Sequence, residues 1–297
     1  MTAVHHFSVD VEEYFQVSAL EPYVAREAWE TKESRVRVGM ERLLTLLERG
    51  GSRGTFFVLG WLAERQVPLV REIAARGHEV ASHGWDHRRV TEQTTEEFRS
   101  SVRRTKALLE EITGQTVMGF RAPSFSIVPG REWALDILVE EGYRYDSSLF
   151  PVRRRGYGYP GGERDPHWVG REGGPADRRT GGRTGQLLEL PPATVRWMGV
   201  NLPAGGGAYF RLFPYALVRR ALREAEERGE PGTFYIHPWE LDPDQPRVPG
   251  LPWSTTARQY GGLHRTARKL ERLLAEFRFQ PLAENPKLSE ADAAVAR

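Results

Sequence analysis

The chain of 297 residues carries 42 basic and 40 acidic side chains, and its formal charge of +2 does not favour nucleic acid or an anionic membrane surface as a partner. It has no cysteine, which excludes disulfides and thiolate metal sites and leaves histidine, aspartate and glutamate as possible metal ligands. The length suits one α/β barrel or two ordinary domains equally well.

The N-terminal sequence, MTAVHHFSVDVEEYF, shows no targeting signal. It lacks the basic region and the apolar core of a signal peptide, so we expect a mature, cytoplasmic chain. No apolar stretch approaches the roughly 20 residues that span a bilayer, and we therefore expect no membrane span.

The first half of the chain alternates between strand-like and helix-like segments. The β-rich runs begin near residue 7 and recur at 54–60, 79–83, 119–123 and 144–150. Apolar residues at helical spacing occupy 35–49, 62–77, 133–143 and the segment that follows Thr94 and Glu97, a capping-box pair. Strand–helix units repeated in this way predict a mostly parallel sheet, either open or closed into a barrel.

The second half begins with a break in this pattern. Residues 151–186 are rich in glycine, arginine and proline, which predicts either a solvated insertion or a loop over the site. Further on we expect a strand at 186–195, a glycine-aromatic loop at 201–214, a helix at 215–228, the strand TFYIHPWE, a helix at 255–277 and a strand near FRFQPL. The whole chain, 1–297, can therefore form one domain with an insertion at 151–186.

Acidic residues follow the first strand, in FSVDVEEYF. Side chains alternate between the two faces of a strand, so Asp10 and Glu12 share one face while Val11 and Glu13 lie on the other. Two carboxylates on one face repel each other unless cations compensate them. A metal on one acid and an arginine on the other would resolve the conflict, whereas Glu13 fits a solvated strand end.

Histidines and one arginine follow other predicted strands. In SHGWDH, His83 and His87 converge on a divalent metal if the chain turns helically after the strand, although such a pair alone is weak evidence. Arg121 in GFRAP and His237 in TFYIHPWE also lie at strand ends, where the catalytic groups of barrels collect. We expect structural roles for the other five histidines, which are His5, His6, His78, His167 and His264.

Taken in order, the segments SVDVE, HGWDH, RAPSF and YIH resemble the four motifs of the polysaccharide deacetylase family, which includes chitin deacetylases and nodulation deacetylases. The resemblance runs from residue 7 to about 150 and resumes at TFYIHPWE. The segment from PPATVRW to HPWE is similar to the C-terminal extension of deacetylases from exosortase and exopolysaccharide loci. The resemblance implies a distorted, seven-stranded (β/α) barrel of the TIM type, with about 187–297 completing the barrel and adding the extension.

The resemblance also implies catalytic roles. Asp10 would be the general base that activates the attacking water, and Arg121 would orient the Asp10 carboxylate. His237 would be the general acid that protonates the leaving amine, with Asp146 as a candidate partner for its imidazole. The backbone N–H of Ser124 would help to stabilise the oxyanion.

The same resemblance implies a divalent metal, most simply Zn²⁺, held by His83 and His87. The family commonly has adjacent aspartates in its first motif, whereas Val11 stands at the second position here and cannot bind a metal. Face alternation makes Glu12 the third ligand. The chain also departs from the family in RAPSF, where the aromatic residue comes one place late as Phe125, and in YDSSLFP, which lacks the usual Asp-Trp.

An N-acetylated polysaccharide or oligosaccharide is the expected substrate, and aromatic side chains near the strand ends are candidates to bind it. Aromatic residues of this kind belong to the core more often than to a sugar-binding surface. The candidates are Tyr14, Trp85, Phe125, Tyr209, Trp239 and Trp253. The favoured function is metal-dependent N-deacetylation of a sugar in a bacterial exopolysaccharide or its precursor. The alternatives are an allantoinase-like amidohydrolase and a non-catalytic glycan-binding module.

Overall fold

The computed structural model describes residues 4–154, 156–170 and 185–295, and its centre is a nine-stranded sheet. Seven strands run parallel in the order β10-β1-β2-β3-β4-β5-β7, and β6 lies antiparallel at the outer edge of β7. The strands are β1 Val4–Val11, β2 Thr55–Val58, β3 Glu79–Ser82, β4 Gly119–Phe120, β5 Tyr145–Asp146, β6 His167–Gly170, β7 Gln186–Glu189, β10 Thr233–Ile236 and β11 Arg278–Gln280, the last of which pairs with the start of β1. A separate hairpin consists of β8 Thr194–Trp197 and β9 Val200–Pro203.

The sheet curls until its two ends meet. The chain that leaves β7 returns to β10, where the backbone N–H of Ala193 donates to the carbonyl of Thr233 at 2.9 Å. Pro192 and Thr233 form a parallel bridge at the same point. The distorted α/β barrel expected from the sequence is therefore confirmed, with closure through isolated bridges between β10 and the chain that follows β7 instead of a full ladder.

Helices cover the outside of the barrel. They are α1 Val36–Arg49, α2 Gly60–Arg65, α3 Val67–Ala75, α4 Thr95–Thr113, α5 Trp133–Glu140, α6 Gly207–Leu212, α7 Tyr215–Glu227, α8 Trp253–Tyr260, α9 Leu263–Glu276 and α10 Pro286–Val295. None of the helices in the described residues combines the length and the apolar composition that crossing a lipid bilayer requires.

The predicted capping box is confirmed at the start of α4. Thr94 Oγ1 accepts from the backbone N–H of Glu97, and the Glu97 carboxylate accepts from the backbone N–H of Thr94. Gly114 ends the helix with φ 68°, in the left-handed region that glycine adopts without strain. The face predicted to be buried is buried, namely Phe98, Val102, Thr105, Leu109 and Ile112.

Other boundaries differ from the prediction. The segment 62–77 contains two helices, because the chain leaves helical geometry at Gln66 (φ −124°, ψ 39°) before α3 begins. The segment 255–277 is likewise divided, since Gly262 has φ 78° between α8 and α9. Helix α6 lies within the predicted glycine-aromatic loop, and α10 was not predicted at all.

The predicted insertion, 151–186, contributes to the sheet where it is described. Strand β6 lies inside it and pairs with β7, so this part is not simply a solvated loop. Arg164 ties the segment to the hairpin by donating to Thr194 Oγ1 at 2.9 Å. Residue 155 and residues 171–184, which carry much of the predicted loop, lie outside the described residues.

Helix α1 packs unusually closely against the turn that follows β10. A Cβ atom placed on Gly39 would lie 2.0 Å from the carbonyl oxygen of Pro238, so no larger residue fits without moving the backbone. Pro238 begins the 3-10 turn Pro238–Leu241, and His237 immediately precedes it. The fold therefore positions this turn by direct backbone-to-helix contact.

We expect Gly39→Ala to lower the free energy of unfolding by about 1–3 kcal/mol, the usual cost of overpacking, despite the better helix propensity of alanine. Urea denaturation followed by circular dichroism measures the change. Thr45→Ala, on the exposed face of the same helix, is the control and should change stability by less than about 0.5 kcal/mol. A stabilised Gly39→Ala protein would show that the contact with Pro238 is not tight.

Candidate functional site

Polar side chains converge at the carboxyl ends of the parallel strands, the edge where barrel enzymes build their sites. Asp10 is the second-to-last residue of β1, and Glu12 directly follows that strand. His83 follows β3, Arg121 follows β4 and His237 follows β10. Because these strands are neighbours around the barrel, residues far apart in the sequence face one cavity.

Asp10 forms a buried ion pair with Arg121. The Arg121 Nη1 atom donates to Asp10 Oδ1 at 2.7 Å, and both side chains are almost fully excluded from solvent. Ser147 holds the rest of the guanidinium, since Nη2 donates to its hydroxyl at 2.8 Å and Nε to its carbonyl at 3.2 Å. The guanidinium also lies over the Phe57 ring, 4.3 Å from the ring centre. These contacts leave Arg121 one orientation, which in turn orients Asp10.

Glu12, His83 and His87 form a compact group, and each offers one ligand atom within 4.8 Å of the others. His83 Nδ1 lies 2.8 Å from the carbonyl oxygen of Arg121, a contact that places the proton on Nδ1 and leaves the Nε2 lone pair available. Burial lowers the pKa of His83 to about 4, so its imidazole is neutral at pH 7. Burial opposes ionisation of Glu12, but the charges of His87 and His237 lower the pKa of its carboxyl group to about 2.

The donor set of this group fits a divalent metal. Glu12 Oε2 is buried without a hydrogen-bond donor and lies 2.8 Å from His87 Nε2. Such a contact is favourable only if a proton or a cation lies between the oxygen and the nitrogen. Two imidazoles and one carboxylate are a common protein ligand set for Zn²⁺, with further positions left for water and substrate. We therefore infer that Glu12, His83 and His87 are able to hold a divalent metal.

Glu13 lies apart from this group, as the alternation of faces predicts, but it is 2% exposed, so the expected solvated strand end was wrong. Its Oε2 atom accepts from the backbone N–H of Arg35 at 2.9 Å, next to the first residue of α1. The neighbouring acids Glu12 and Glu13 thus have different tasks, one facing the cavity and one supporting the entry to a helix.

His237 faces Asp10 and Glu12 across the cavity. Its Nε2 atom lies 3.8 Å from Asp10 Oδ2 and 3.7 Å from Glu12 Oε1. Its Nδ1 atom lies 2.9 Å from Glu240 Oε2, which also accepts from the backbone N–H of His237 at 3.0 Å. Burial opposes protonation of this imidazole, but the carboxylates of Glu12, Glu240 and Asp10 outweigh it and raise the pKa to about 9.

Glu240, not Asp146, is the partner of the histidine. Glu240 is fully buried and receives a second cation, because Arg211 Nε donates to its Oε1 atom at 2.5 Å. The prediction of Asp146 in this role was wrong. A sequence signal existed in HPWE, because a proline after His237 starts a helical turn that brings the side chain three residues later back onto the histidine.

Asp146 instead belongs to a buried acid pair behind Arg121. It lies opposite Glu189 in the parallel register of β5 and β7, and both side chains are fully buried. Burial raises the pKa of Asp146 to about 6 and that of Glu189 well above its usual range, so both carboxyl groups resist ionisation. Ser148 donates to Asp146 Oδ1 at 2.6 Å and accepts from the backbone N–H of Ala122 at 2.8 Å. The pair therefore supports the chain next to Arg121.

The cavity at this edge has a volume of about 290 Å³. Of the predicted aromatic residues, Phe125, Tyr209 and Trp239 line it, and Trp239 Nε1 donates to Glu12 Oε1 at 3.1 Å. The predicted Ser124 also lines it, with φ 55° and its hydroxyl 2.6 Å from that of Ser18.

Three other aromatic candidates lie elsewhere. Tyr14 is 3% exposed and packs into an apolar cluster beside Phe15, so its expected contact with sugar was wrong. Trp85 is covered by the Arg104 guanidinium, which lies 3.2 Å from its ring centre. Trp253 is 83% exposed and is not among the residues that line the cavity. Burial and contact with neighbours distinguish the aromatic residues of the core from those that line the cavity, and a sequence alone does not show either property.

Several residues of the cavity were not predicted from the sequence. They are Ser18, Arg89, Tyr157, Arg211, Tyr235, Arg258 and Gln259. One local signal was available, the glycine run 205–207: a Cβ on Gly206 would lie 1.7 Å from the carbonyl oxygen of Tyr235. This close approach seats the start of α6, and with it Tyr209, against β10.

The fold and the site together define an α/β barrel protein with a carboxylate–histidine centre of the kind that metal-dependent hydrolases use. Residues 33–144 match the family model of polysaccharide deacetylases, and residues 147–286 match a domain of unknown function, DUF3473. The chain therefore contains a polysaccharide deacetylase family domain, as its motifs indicate.

Relatives of known name match mainly the first half. A peptidoglycan deacetylase-like protein, FGM2, of Gibberella zeae is 32% identical over 115 residues, which are 38% of this chain and 33% of that protein. The peptidoglycan-N-acetylglucosamine deacetylase PgdA of Listeria monocytogenes is 30% identical over 103 residues, covering 32% of this chain and 22% of the relative. The peptidoglycan deacetylase of Helicobacter pylori is 29% identical over 38% of this chain and 37% of its own. The matches thus span less than two fifths of the length of these relatives.

The comparison with solved structures extends to the second half of the chain. A Mycobacterium smegmatis protein assigned to the polysaccharide deacetylases superposes with a TM-score of 0.63 and 20% identity, over 99% of this chain and 96% of its own. At this identity the match shows that the two chains share a fold, including the half beyond residue 144.

Metal binding distinguishes the two neighbouring acids. We expect Glu12→Gln to weaken the binding of Zn²⁺ by about 100-fold or more, because it removes a direct ligand, whereas changes beyond the ligands typically cost 10–100-fold. Glu13→Gln, one residue away on the other face, should bind Zn²⁺ as the wild type does. Competition with a fluorescent chelator measures both, with circular dichroism to verify folding. Equal affinities for the two variants would contradict the assignment of Glu12.

Proposed function

We propose that this chain is a metal-dependent N-deacetylase, which hydrolyses the acetamide of an N-acetylated sugar and releases acetate. The observation that supports the proposal is the arrangement of one cavity. The Asp10–Arg121 pair and the His237–Glu240 pair both face the group formed by Glu12, His83 and His87. Amide hydrolysis needs a base, an acid and an electrophilic centre, and the cavity offers candidates for all three.

The electrophilic centre is the expected role of the metal. A divalent cation held by Glu12, His83 and His87, most simply Zn²⁺, would polarise the acetyl carbonyl and lower the pKa of the attacking water. His83 is suited to such a role because its Nδ1 atom is occupied by the Arg121 carbonyl, which leaves the Nε2 atom available as a ligand.

Asp10 is suited to act as the general base. Arg121 occupies its Oδ1 atom, and the Oδ2 atom faces the cavity on the side of His237. Arg121 thereby compensates the buried charge and directs the free oxygen at the attacking water. Positioning of this kind contributes to catalysis by aligning the base before the reaction begins.

His237 is suited to act as the general acid. Glu240 occupies its Nδ1 atom, so the Nε2 proton points into the cavity toward the position of the substrate nitrogen. A protonated imidazole at this place donates a proton to the leaving amine, which would otherwise depart as an unstable anion. The backbone N–H of Ser124, at the cavity wall, is the proposed donor to the oxyanion.

The glycan is proposed to be a bacterial exopolysaccharide or its precursor. The support is the resemblance of the segment from PPATVRW to HPWE to deacetylases of exopolysaccharide loci. The relatives from Gibberella zeae and Listeria monocytogenes are named as a peptidoglycan deacetylase-like protein and a peptidoglycan-N-acetylglucosamine deacetylase, and their matches cover about a third of this chain. Peptidoglycan is therefore the first comparison substrate for any assay.

We expect the Zn²⁺-loaded wild type to release acetate from N-acetylglucosamine oligomers, and Asp10→Asn and His237→Asn each to lower kcat by about 10²–10⁴-fold, the usual contribution of acid–base catalysis. Acetate is measured by an enzyme-coupled assay, with zinc content determined for each variant. His83→Ala should lose both zinc and activity, and Glu13→Gln should retain both.

Other outcomes would point elsewhere. Release of product from ureides but not from acetylated sugars would favour the amidohydrolase alternative. Sugar binding without acetate release, unchanged by Asp10→Asn, would favour a glycan-binding module. Wild-type protein that binds no divalent metal, together with an unaffected His83→Ala variant, would refute the proposed chemistry.

A further inference from the structure

A group of arginine and tyrosine side chains stands at the mouth of the cavity, and we call it the arginine–tyrosine wall. Its members are Arg154, Tyr157, Tyr209 and Arg258. Tyr157, Tyr209 and Arg258 line the same cavity as Asp10 and His237. Arg154 stands beside them, with its guanidinium carbon 5.9 Å from the centre of the Tyr209 ring.

The other two arginines that line the cavity, Arg89 and Arg211, and Arg121 behind Asp10 are already neutralised by buried or half-buried carboxylates. The pairs are Arg121–Asp10 at 2.7 Å, Arg89–Glu21 at 2.7 Å and Arg211–Glu240 at 2.5 Å. Arg154 and Arg258 form no ion pair with any carboxylate among residues 4–154, 156–170 and 185–295. The wall therefore presents positive charge that the described part of the chain does not compensate.

Hydrogen bonds hold the members of the arginine–tyrosine wall in place. The Tyr157 and Tyr209 hydroxyls lie 2.6 Å apart, so one donates to the other and the pair retains further hydrogen-bonding capacity. The backbone carbonyl of Arg258 accepts from Arg211 Nη2 at 2.8 Å, which links α8 to the buried Arg211–Glu240 pair. The charged ends remain exposed while their supports are fixed to the site.

Two guanidinium groups next to two phenols are the chemistry that binds an anion. A guanidinium presents planar donors that match a carboxylate or a phosphate, and phenol hydroxyls add further donors. The cavity, at about 290 Å³, lies near the lower end of small-molecule sites, about 300 Å³, so a neighbouring sugar unit or its linkage would reach the mouth.

We propose that the arginine–tyrosine wall binds an anionic group of the glycan next to the acetylated sugar, which makes the substrate an acidic glycan. The inference rests on the proposed deacetylase function and adds the charge of the substrate. The anion is either the carboxylate of a uronic acid or the diphosphate of a lipid-linked precursor. All members of the wall lie in the half that matches DUF3473, whereas His83, His87 and Arg121 lie in the deacetylase match.

The test measures binding without turnover, by calorimetry in an Asp10→Asn background. The probes are a neutral N-acetylglucosamine tetramer, a hyaluronan tetrasaccharide, which alternates N-acetylglucosamine with glucuronate, and N-acetylglucosamine linked through a diphosphate to farnesol. We expect at least one anionic probe to bind about tenfold or more tightly than the neutral one, as a charge-assisted contact allows. The probe that does so identifies the source of the anion.

The variants Arg154→Gln and Arg258→Gln, combined, should remove this preference and leave the affinity for the neutral tetramer within about twofold. Arg258→Lys, combined with Arg154→Gln, should retain part of the preference for the anionic probe, because lysine keeps the charge but lacks the planar donors of arginine. Arg265→Gln, which removes an exposed charge from α9, is the matched control and should retain the preference. Equal binding of neutral and anionic probes, no binding of either anionic probe, or an equal effect of Arg265→Gln would overturn the proposal.

Acetate release by the wild-type chain, measured on the same probes, separates this inference from the function on which it rests. A preference for anions that depends on Arg154 and Arg258, without acetate release from any probe, would refute the deacetylase function alone. Acetate release at the same kcat/KM from neutral and anionic probes, with no effect of the two substitutions, would refute the acidic substrate alone.

Discussion

Several carboxylates are buried at one end of the barrel, and the structure depends on compensation of their negative charges. Asp10, Glu12 and Glu240 are 3%, 1% and 0% exposed, and an unpaired carboxylate at such positions would cost several kcal/mol. Each has a cation or an imidazole beside it, supplied by a different part of the chain. The barrel is therefore tied together at its carboxyl end by the same contacts that arrange the site.

These pairings also give Asp10 and His237 different electrostatic surroundings. Asp10 is held by a permanent cation, whereas His237 is surrounded by carboxylates that raise its pKa to about 9. The proposed base and the proposed acid can lie a few ångströms apart because one is paired with a guanidinium and the other with carboxylates. Supports lie one layer further out, where Ser147 fixes Arg121 and Arg211 fixes Glu240. The geometry of the site thus depends on side chains that hold the groups facing Glu12, His83 and His87.

The features of the fold and the site that depend on a local sequence pattern were predictable. The alternation of faces in a strand separated Glu12 from Glu13, and the capping box located the start of α4. Partners decided by packing were not predictable. Asp146 had the right residue type for a histidine partner, but β5 directs it to Glu189, and the turn after Pro238 delivers Glu240 to His237 instead. The prediction that Tyr14 binds sugar was wrong for the same reason, because its ring packs inside an apolar cluster.

The amino-acid sequence by itself determined the class of the fold, the absence of thiolate chemistry and the residue types of the centre, because strand and helix periods and short motifs are local properties. Only the tertiary structure decided which groups meet. Closure of the sheet brings β1, β3, β4 and β10 to one edge, and the packing of α1 on the turn after β10 sets where His237 points. Such contacts join residues more than 100 positions apart, as in the pair Arg121–Asp10, and no local pattern encodes their geometry.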